Sequence, residues 1–413
     1  MNDKSNSNFL NQLLAEEYKN YQIINGLPCL YPNSSEELAL WNQKIVSYIN
    51  EEEIQIKHLQ FRINNHKSGL TKKRLNETLQ ARVFNLKQIK KLLHGFFTED
   101  KAQTVFSTQQ IHSYFDNIFR DWSWGLDELD SYVAKLENQD FENKTVLILG
   151  AGAGGLGHLL ASKYPSCRFV EIEHNPLLAI VNHQLSSGKT IKLSETSAYP
   201  KSLDKVCEKR ELGSSNKTEN KAVVLASFPD LPFKENSFDC IIAPWFLDIL
   251  DIPFENALYC AKEFLKTDGV FHFCGPSNIH KKQISEQYCH QEIVEVFNEF
   301  FNHVEETQEE LPYLNSPLNS QKRIETISFI TASGSSSTDI DWSLTQNNSD
   351  LSFTPEFEQY KTMAIVKAQI LSHINGDINN EALAKILVEK FGLSEAESIP
   401  YAKKFLDKIK FEY

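Results

Sequence analysis

The chain has 413 residues, 41% of them hydrophobic, with 27 Phe and a formal net charge of −13 at neutral pH. That length and apolar content fill the cores of two or three domains, and the acidic balance argues against a general nucleic-acid binder, which needs excess Lys and Arg to meet phosphates. No apolar run approaches the ~18 residues that span a bilayer, the first residues lack a signal-peptide pattern, and seven scattered cysteines without a C-x-x-C pair read as reduced thiols; a cytoplasmic protein without a metal site is expected.

Residues 36–100 carry helical spacing. In the stretch SGLTKKRLNETLQARVFNLKQIKKLLHGFF, Leu75, Leu79, Val83, Leu86, Ile89 and Leu93 recur at three- to four-residue steps, which predicts a long amphipathic helix. Between Lys57 and Lys91 stand ten Lys/Arg and one acid, Glu77. Such a run is either a solvated face or a groove that attracts an anion.

From residue 141 the pattern changes to strand, glycine loop, helix and strand, the start of a βαβ unit. Further apolar runs follow at 222–226, 239–243, 269–274 and 325–331, with helical segments between several of them. The rhythm predicts an α/β, doubly wound, mostly parallel sheet. Residues 333–354, rich in Ser, Asn and Asp, read as a linker. Beyond it three short helical patterns form a small, nearly neutral module, with Gly376 and Gly392 as stops and Ser394 as an N-cap before Glu397. The expected domains are therefore a helical 1–138, a catalytic 139–332, the linker 333–354 and a C-terminal helical 355–413.

GAGAGGLG, residues 150–157, places five glycines in eight positions between strand and helix, where bare backbone approaches a ligand and unpaired N–H groups face it. Gly150, Gly152 and Gly155 satisfy the dinucleotide pattern G-x-G-x-x-G. Gly150, Gly152 and Gly154 satisfy G-x-G-x-G, that of S-adenosylmethionine enzymes. In either case Glu173, at the end of the next strand, accepts from both ribose hydroxyls.

Downstream, FPDLPFKENSFDCIIAPWFLDIL (228–250) and AKEFLKTDGVFHF (261–273) resemble successive stretches of class I methyltransferases. The resemblance implies S-adenosylmethionine as cofactor, held by Gly150, Gly152, Gly154 and Glu173, with Phe228 against the adenine. Ser227 stands where that group often has an Asp.

Asp248 and His280 follow two successive strands and so emerge on the rim of the sheet that holds the cofactor. VFNLKQIKKLL (83–93), FRDWS (119–123), GAGAGGL (150–156), WFLD (245–248) and GPSNIH (275–280) together resemble, in order, the motifs of the carnosine N-methyltransferase family, over about residues 70–330. The resemblance implies that Asp248 and His280 hold an imidazole acceptor, with Arg120, Asp121 and Trp122 supporting the site or covering the donor. A carboxylate accepting the imidazole N–H fixes the tautomer and leaves the other nitrogen as nucleophile. An ion pair is the plain alternative for Arg120 and Asp121. Trp245 can wall the acceptor or simply pack. The family's late-strand tyrosines are missing from NSQKRIETISF (319–329), where Lys322, Arg323 and Glu325 stand, so the acceptor is expected to differ from carnosine, with Arg323 near it.

The tail resembles PqqD-like winged-helix modules, which implies a leader peptide as partner. The sequence thus predicts an S-adenosylmethionine-dependent N-methyltransferase for a small-molecule or peptide acceptor, with a homodimer as a further expectation. Its rivals are a leader-dependent peptide or protein methyltransferase, an NAD(P)-dependent oxidoreductase and a non-catalytic binding protein.

Overall fold

The computed structural model describes residues 3–98, 111–137, 141–214, 216–281, 284–335, 361, 364–365, 368–373 and 378–412. The chain divides into two compact units, Met1–Asp339 and Ile340–Tyr413. The first begins with helix α1 (Asp3–Leu13) and a hairpin of β1 (Gln22–Ile24) and β2 (Leu27–Cys29). Asn25 and Gly26, with φ of 52° and 86°, make its two-residue turn, the left-handed geometry that an Asn-Gly pair favours. The basic helical stretch is α2 (Ser34–Asn65) and α3 (Gly69–Leu92); the break comes where Ser68 accepts the Thr71 N–H and caps α3. Only one side of α3 is covered, by Ala81, Asn85, Leu86, Ile89 and Leu92, and Val83 is left half in solvent.

Next come α4 (Phe115–Phe119), a π-helical turn Arg120–Trp124 and α5 (Leu126–Lys135). The alternating part is β3 (Thr145–Ile148), α6 (Gly155–Lys163), β4 (Arg168–Glu173), α7 (Pro176–Ser186), the hairpin β5 (Ile191–Thr196) and β6 (Cys207–Leu212), and β7 (Lys221–Leu225). It continues through β8 (Phe238–Pro244), α8 (Phe254–Lys262), β9 (Leu265–Pro276), α9 (His290–Phe300), β10 (Phe301–Pro312) and β11 (Ile324–Ser335).

Nine strands form one sheet in the order β1-β2-β7-β4-β3-β8-β9-β11-β10, while β5 and β6 pair separately. Strands β2, β7, β4, β3, β8 and β9 run parallel, and β11 lies antiparallel between β9 and β10. The central strands are apolar on both faces because helices cover both. On the β9 side, Phe254, Phe271, Phe273 and Phe297 are fully buried and pack ring on ring at about 6 Å. Each such ring contributes roughly 1.5–3 kcal/mol by leaving water.

The N-terminal segment expected as a helical region over 1–138 shares a core with the sheet. Tyr31, Trp41, Ile89 and Phe119 pack in one cluster with Leu177 and Ile180 of α7, and β2 extends the sheet beyond β7. At the other end β11 runs to Ser335, into the stretch read as linker. The strand order, with one antiparallel strand set between the last two parallel ones, is that of the class I methyltransferase fold.

In the second unit, helices Asn380–Phe391 and Glu395–Glu412 pack through Leu383, Leu387, Ala402 and Leu406. Gly392 ends the first helix in the left-handed region at φ 68°, and the Ser394 hydroxyl donates to Glu397 at 2.6 Å, as the sequence signals predict. Gly376 lies outside the described residues. No strand occurs among the described residues of this unit. None of the helices among the described residues is long and apolar enough to cross a membrane.

Candidate functional site

The carboxyl ends of β3, β4, β7, β8 and β9 open on one crest, where ligands of doubly wound sheets bind. The glycine loop crosses it between β3 and α6. Gly150, Gly152 and Gly154 all have positive φ, at 62°, 59° and 88°. A Cβ on Gly150 would fall 2.3 Å from the Phe246 ring, and one on Gly154 would fall 2.1 Å from the Asn182 side chain, so those two glycines permit packing. A Cβ on Gly152 would meet nothing within 4 Å. Its bare face is turned to open space, as a loop must be if a ligand is to rest on it.

Glu173, at the end of β4, faces this loop. Its buried carboxylate accepts the Gly152 N–H and the Asn175 N–H, both at 2.8 Å. Burial raises its pKa and these backbone donors oppose the rise. A carboxylate fixed this way at the crest has the chemistry and the place to accept from ribose hydroxyls.

FRDWS forms the π-helical turn and grips the loop from behind. Asp121 accepts the Gly155 N–H at 3.0 Å at the start of α6, where a negative charge suits the helix dipole. Arg120 pairs with Asp121 at 2.8 Å and with Glu128 at 3.3 Å, and its guanidinium is held firmly charged by those two carboxylates against the effect of burial. The Trp122 indole N–H donates to the Ala153 carbonyl at 2.7 Å. Both readings of the Arg120–Asp121 pair therefore meet in one object, an ion pair that shapes the loop. Arg120 and Trp122, expected to touch the donor, direct their polar atoms to the protein.

On the β7 side of the crest, the Ser227 hydroxyl is 3.1 Å from His174 Nδ1, and Phe228 meets Phe246 edge to face at 5.4 Å. His174 is a residue that sequence reasoning passed over, although it follows Glu173 directly. Tyr31 donates to its carbonyl at 2.8 Å, Trp41 leans on its ring, and Glu37 stands 3.4 Å from its Nε2. Burial, followed by nearby Lys44, lowers its pKa to about 4, so it is neutral at pH 7. A neutral imidazole beside Ser227 supplies hydrogen-bonding groups on this side of the crest.

Beyond Phe246 the crest drops into a cleft of about 710 Å³ lined by Trp245, Asp248, His280, Lys281 and Arg323, among others. Four residues singled out from the sequence, Trp245, Asp248, His280 and Arg323, thus meet in one cavity although they come from three separate connections. Asp248 has a buried Oδ1 with no hydrogen-bond partner among the described residues, and burial pushes its pKa up to about 6. Trp245 sits at φ 49°, strained for a bulky residue, held by its N–H to the Cys274 carbonyl at 2.6 Å. Its indole N–H donates to the Tyr132 hydroxyl at 3.2 Å and its ring lies 4.2 Å from Tyr313. Arg323 lies over the Tyr313 ring, 4.6 Å from its centre, and pairs with Glu325. Tyr313, from the turn after β10, therefore adds a second aromatic ring beside Trp245; its chain position gave no sign, because β10 carries no strand alternation.

No protein family and no curated protein matches the chain. Similar solved structures include YcgJ of Bacillus subtilis, at 14% identity and TM-score 0.35, covering 51% of this chain and 99% of that one. Phosphoethanolamine N-methyltransferase 2 of Haemonchus contortus, solved with phosphomonomethylethanolamine and S-adenosylhomocysteine, gives 12% and 0.37 over 55% of this chain and 58% of that one. A chain from the complex of the Haloferax volcanii Trm112 methyltransferase activator with a putative methyltransferase gives 15% and 0.37 over 56% and 100%. These likenesses extend over about half of the chain, and the assignment of its fold rests on the strand order.

Proposed function

We propose that the protein is an S-adenosylmethionine-dependent N-methyltransferase acting on an imidazole nitrogen of a histidine-containing small molecule or peptide. The observation that carries this reading is the Asp248 carboxylate, which lines the cleft with Trp245 and His280 and has one buried oxygen without a hydrogen-bond partner among the described residues; Phe246, between Trp245 and Asp248 in the chain, packs its ring against Gly150 of the glycine loop. A buried acceptor without a donor is costly, about 1–3 kcal/mol, unless a ligand N–H fills it.

The open face of Gly152, the Glu173 carboxylate and the Ser227–His174 pair fit a sulfonium nucleoside. S-adenosylmethionine, when bound, supplies an already activated methyl group. The protein's own part is placement. Asp248 accepts the acceptor's N–H, which fixes its tautomer and turns the second ring nitrogen outward as a lone pair. His280, exposed at the cleft mouth, and the Trp245–Tyr313 stack orient the ring. Imidazole with a pKa near 6.5 is mostly neutral at pH 7, so little base catalysis is required.

A specific observation favours a peptide as acceptor over a free dipeptide. Ile249 lines the cleft at 62% exposure. An exposed apolar residue there suits a flanking side chain. A leader peptide held by residues 355–413 belongs to this version.

The test is calorimetric titration with S-adenosylhomocysteine and NADH, then mass spectrometry of carnosine and histidine peptides incubated with labelled donor. S-adenosylhomocysteine should bind, NADH should not, and label should appear on imidazole. Asp248→Ala should keep cofactor affinity and lose transfer by about 10² or more, as when a positioning group is removed. Removing 351–413 should spare a small-molecule activity and abolish a leader-dependent one. NADH binding, or turnover unaffected in Asp248→Ala, would defeat the proposal.

A further inference from the structure

At the opposite end of the sheet from the crest lies a larger cleft, about 1140 Å³, between the β1–β2 hairpin, the end of α3, the end of α7 and the start of β7. Its lining includes Lys90, Lys91, Lys189, Lys217 and Lys221, with His94 and His183, and has no Asp or Glu among the described residues. In a chain of net charge −13 this concentration of cations is local and one-signed.

Compensation of these charges is uneven. Lys221 is buried and pairs with Glu171 at 3.0 Å, Lys90 pairs with Glu53 at 2.7 Å, and Lys217 lies 3.4 Å from Glu219. Lys91 and Lys189 are exposed and make no ion pair among the described residues.

Two helices end at this cleft, and their last carbonyls would repel an anion if left bare. They are not bare. The Asn25 amide donates to the carbonyls of Leu92 (3.4 Å) and His94 (2.5 Å). At the end of α7, the carbonyls of His183, Gln184, Leu185 and Ser186 accept from the N–H groups of Ser187, Lys189, Gly188 and Thr218 at 3.0–3.1 Å. Those acceptors are taken up internally, and the ammonium groups of Lys91 and Lys189 remain exposed.

The walls are also fixed in place. Gly26 has φ 86°, and a Cβ there would fall 2.7 Å from His183 Nε2, so the hairpin turn can pack on α7 only as glycine. The lining also has an apolar part, with Tyr21, Ile23 and Pro28; Ile23 is 60% exposed.

We propose that this cleft is a second ligand site, for a nucleoside polyphosphate whose phosphates meet Lys91 and Lys189 and whose base lies on Tyr21 and Ile23. At about 1140 Å³ it is slightly larger than the usual small-molecule sites of about 300–1,000 Å³ and has room for one nucleotide. The chain's net charge of −13 disfavours a nucleic-acid strand as the occupant.

The experiment is calorimetry on the full chain with sodium tripolyphosphate, and separately with ATP in the presence of S-adenosylhomocysteine to keep adenine off the crest. Both should bind one to one, and ATP should bind about tenfold tighter through its base, since base–aromatic stacking is worth about 1–3 kcal/mol. Lys91→Glu with Lys189→Glu should weaken both by at least about tenfold, with the loss shrinking at high salt. Lys57→Glu with Lys67→Glu, exposed lysines of α2 and the α2–α3 turn, should change neither. Both lysines of the test pair are exposed, and equal unfolding midpoints verify that the fold is kept. Absence of binding by tripolyphosphate at millimolar concentration, an equal loss in both double variants, ATP no tighter than tripolyphosphate, or binding of a 12-nucleotide RNA alone would each overturn the proposal. The tripolyphosphate arm is independent of the crest, so it stays readable even if S-adenosylhomocysteine fails to bind.

Discussion

Replacing Asp248 by Asn separates the chemistry of the candidate site from its folding. The change keeps the shape and removes the charge. In the folded chain the Asp248 pKa is about 6 against an ordinary 3.8, burial being the main cause, with the Asp248 backbone N–H and Lys281 opposing it. The folded state therefore holds this proton more tightly than the unfolded one. Stability from this group is greatest below pH 3.8, declines as pH rises from 3.8 to about 6, and stays at its lowest above that. At about 1.36 kcal/mol per pKa unit, two units would amount to about 3 kcal/mol of destabilisation by the ionised carboxyl at pH 8. The side chain is half-buried and partly open to the cleft, so about 1–2 kcal/mol is the working figure. Urea unfolding of both proteins at pH 8, 6 and 4 reads it. Asp248→Asn should be the more stable at pH 8, with the advantage fading toward pH 4, while methyl transfer falls by about 10² or more. Equal stability at every pH, or a variant weaker at pH 8, would refute the reading of Asp248 as an uncompensated carboxylate awaiting a donor.

Gly157→Ala puts a Cβ 1.4 Å from Glu171 Oε1, inside a buried network in which Glu171 meets Lys221 at 3.0 Å and Asn182 at 2.7 Å. Displacing such a pair should destabilise by about 3–5 kcal/mol, visible as a lower urea midpoint and a lower soluble yield. Tyr313→Ala removes the ring that meets both Trp245 and Arg323 and should raise the acceptor KM about tenfold while S-adenosylhomocysteine affinity is unchanged; Tyr313→Phe should restore most of it, because the ring carries the stacking. Glu173→Gln should weaken S-adenosylhomocysteine by about tenfold or more, charge-assisted bonds being about twice as strong as neutral ones, as calorimetry would read directly.

Much of the crest could be read from sequence because its signals are local. Strand β3, the glycines and Glu173 lie within thirty residues, and the apolar runs at 222–226, 239–243, 269–274 and 325–331 became β7, β8, β9 and β11. Strand β10 escaped because it is an edge strand: between Phe301 and Pro312 most side chains face water and four are Glu, so the burial that writes alternation into a sequence is missing. The β1–β2 hairpin was overlooked although Asn25-Gly26 is a strong turn signal, since its strands of three residues are too short to show a period.

The chain by itself determined the doubly wound class, the glycine loop and the residue types at the ends of the strands, because helix and strand periods, turns and caps are properties of neighbouring residues. Tertiary structure decided what those residues do to one another. It set Asp121 on the Gly155 N–H from thirty-four positions away, brought Tyr313 to Trp245, left one oxygen of Asp248 without a donor, and gathered lysines of α3, α7's exit and β7 around one cleft. Convergence of that kind depends on how layers pack and on which polar atoms packing strips of water, and no local pattern encodes it.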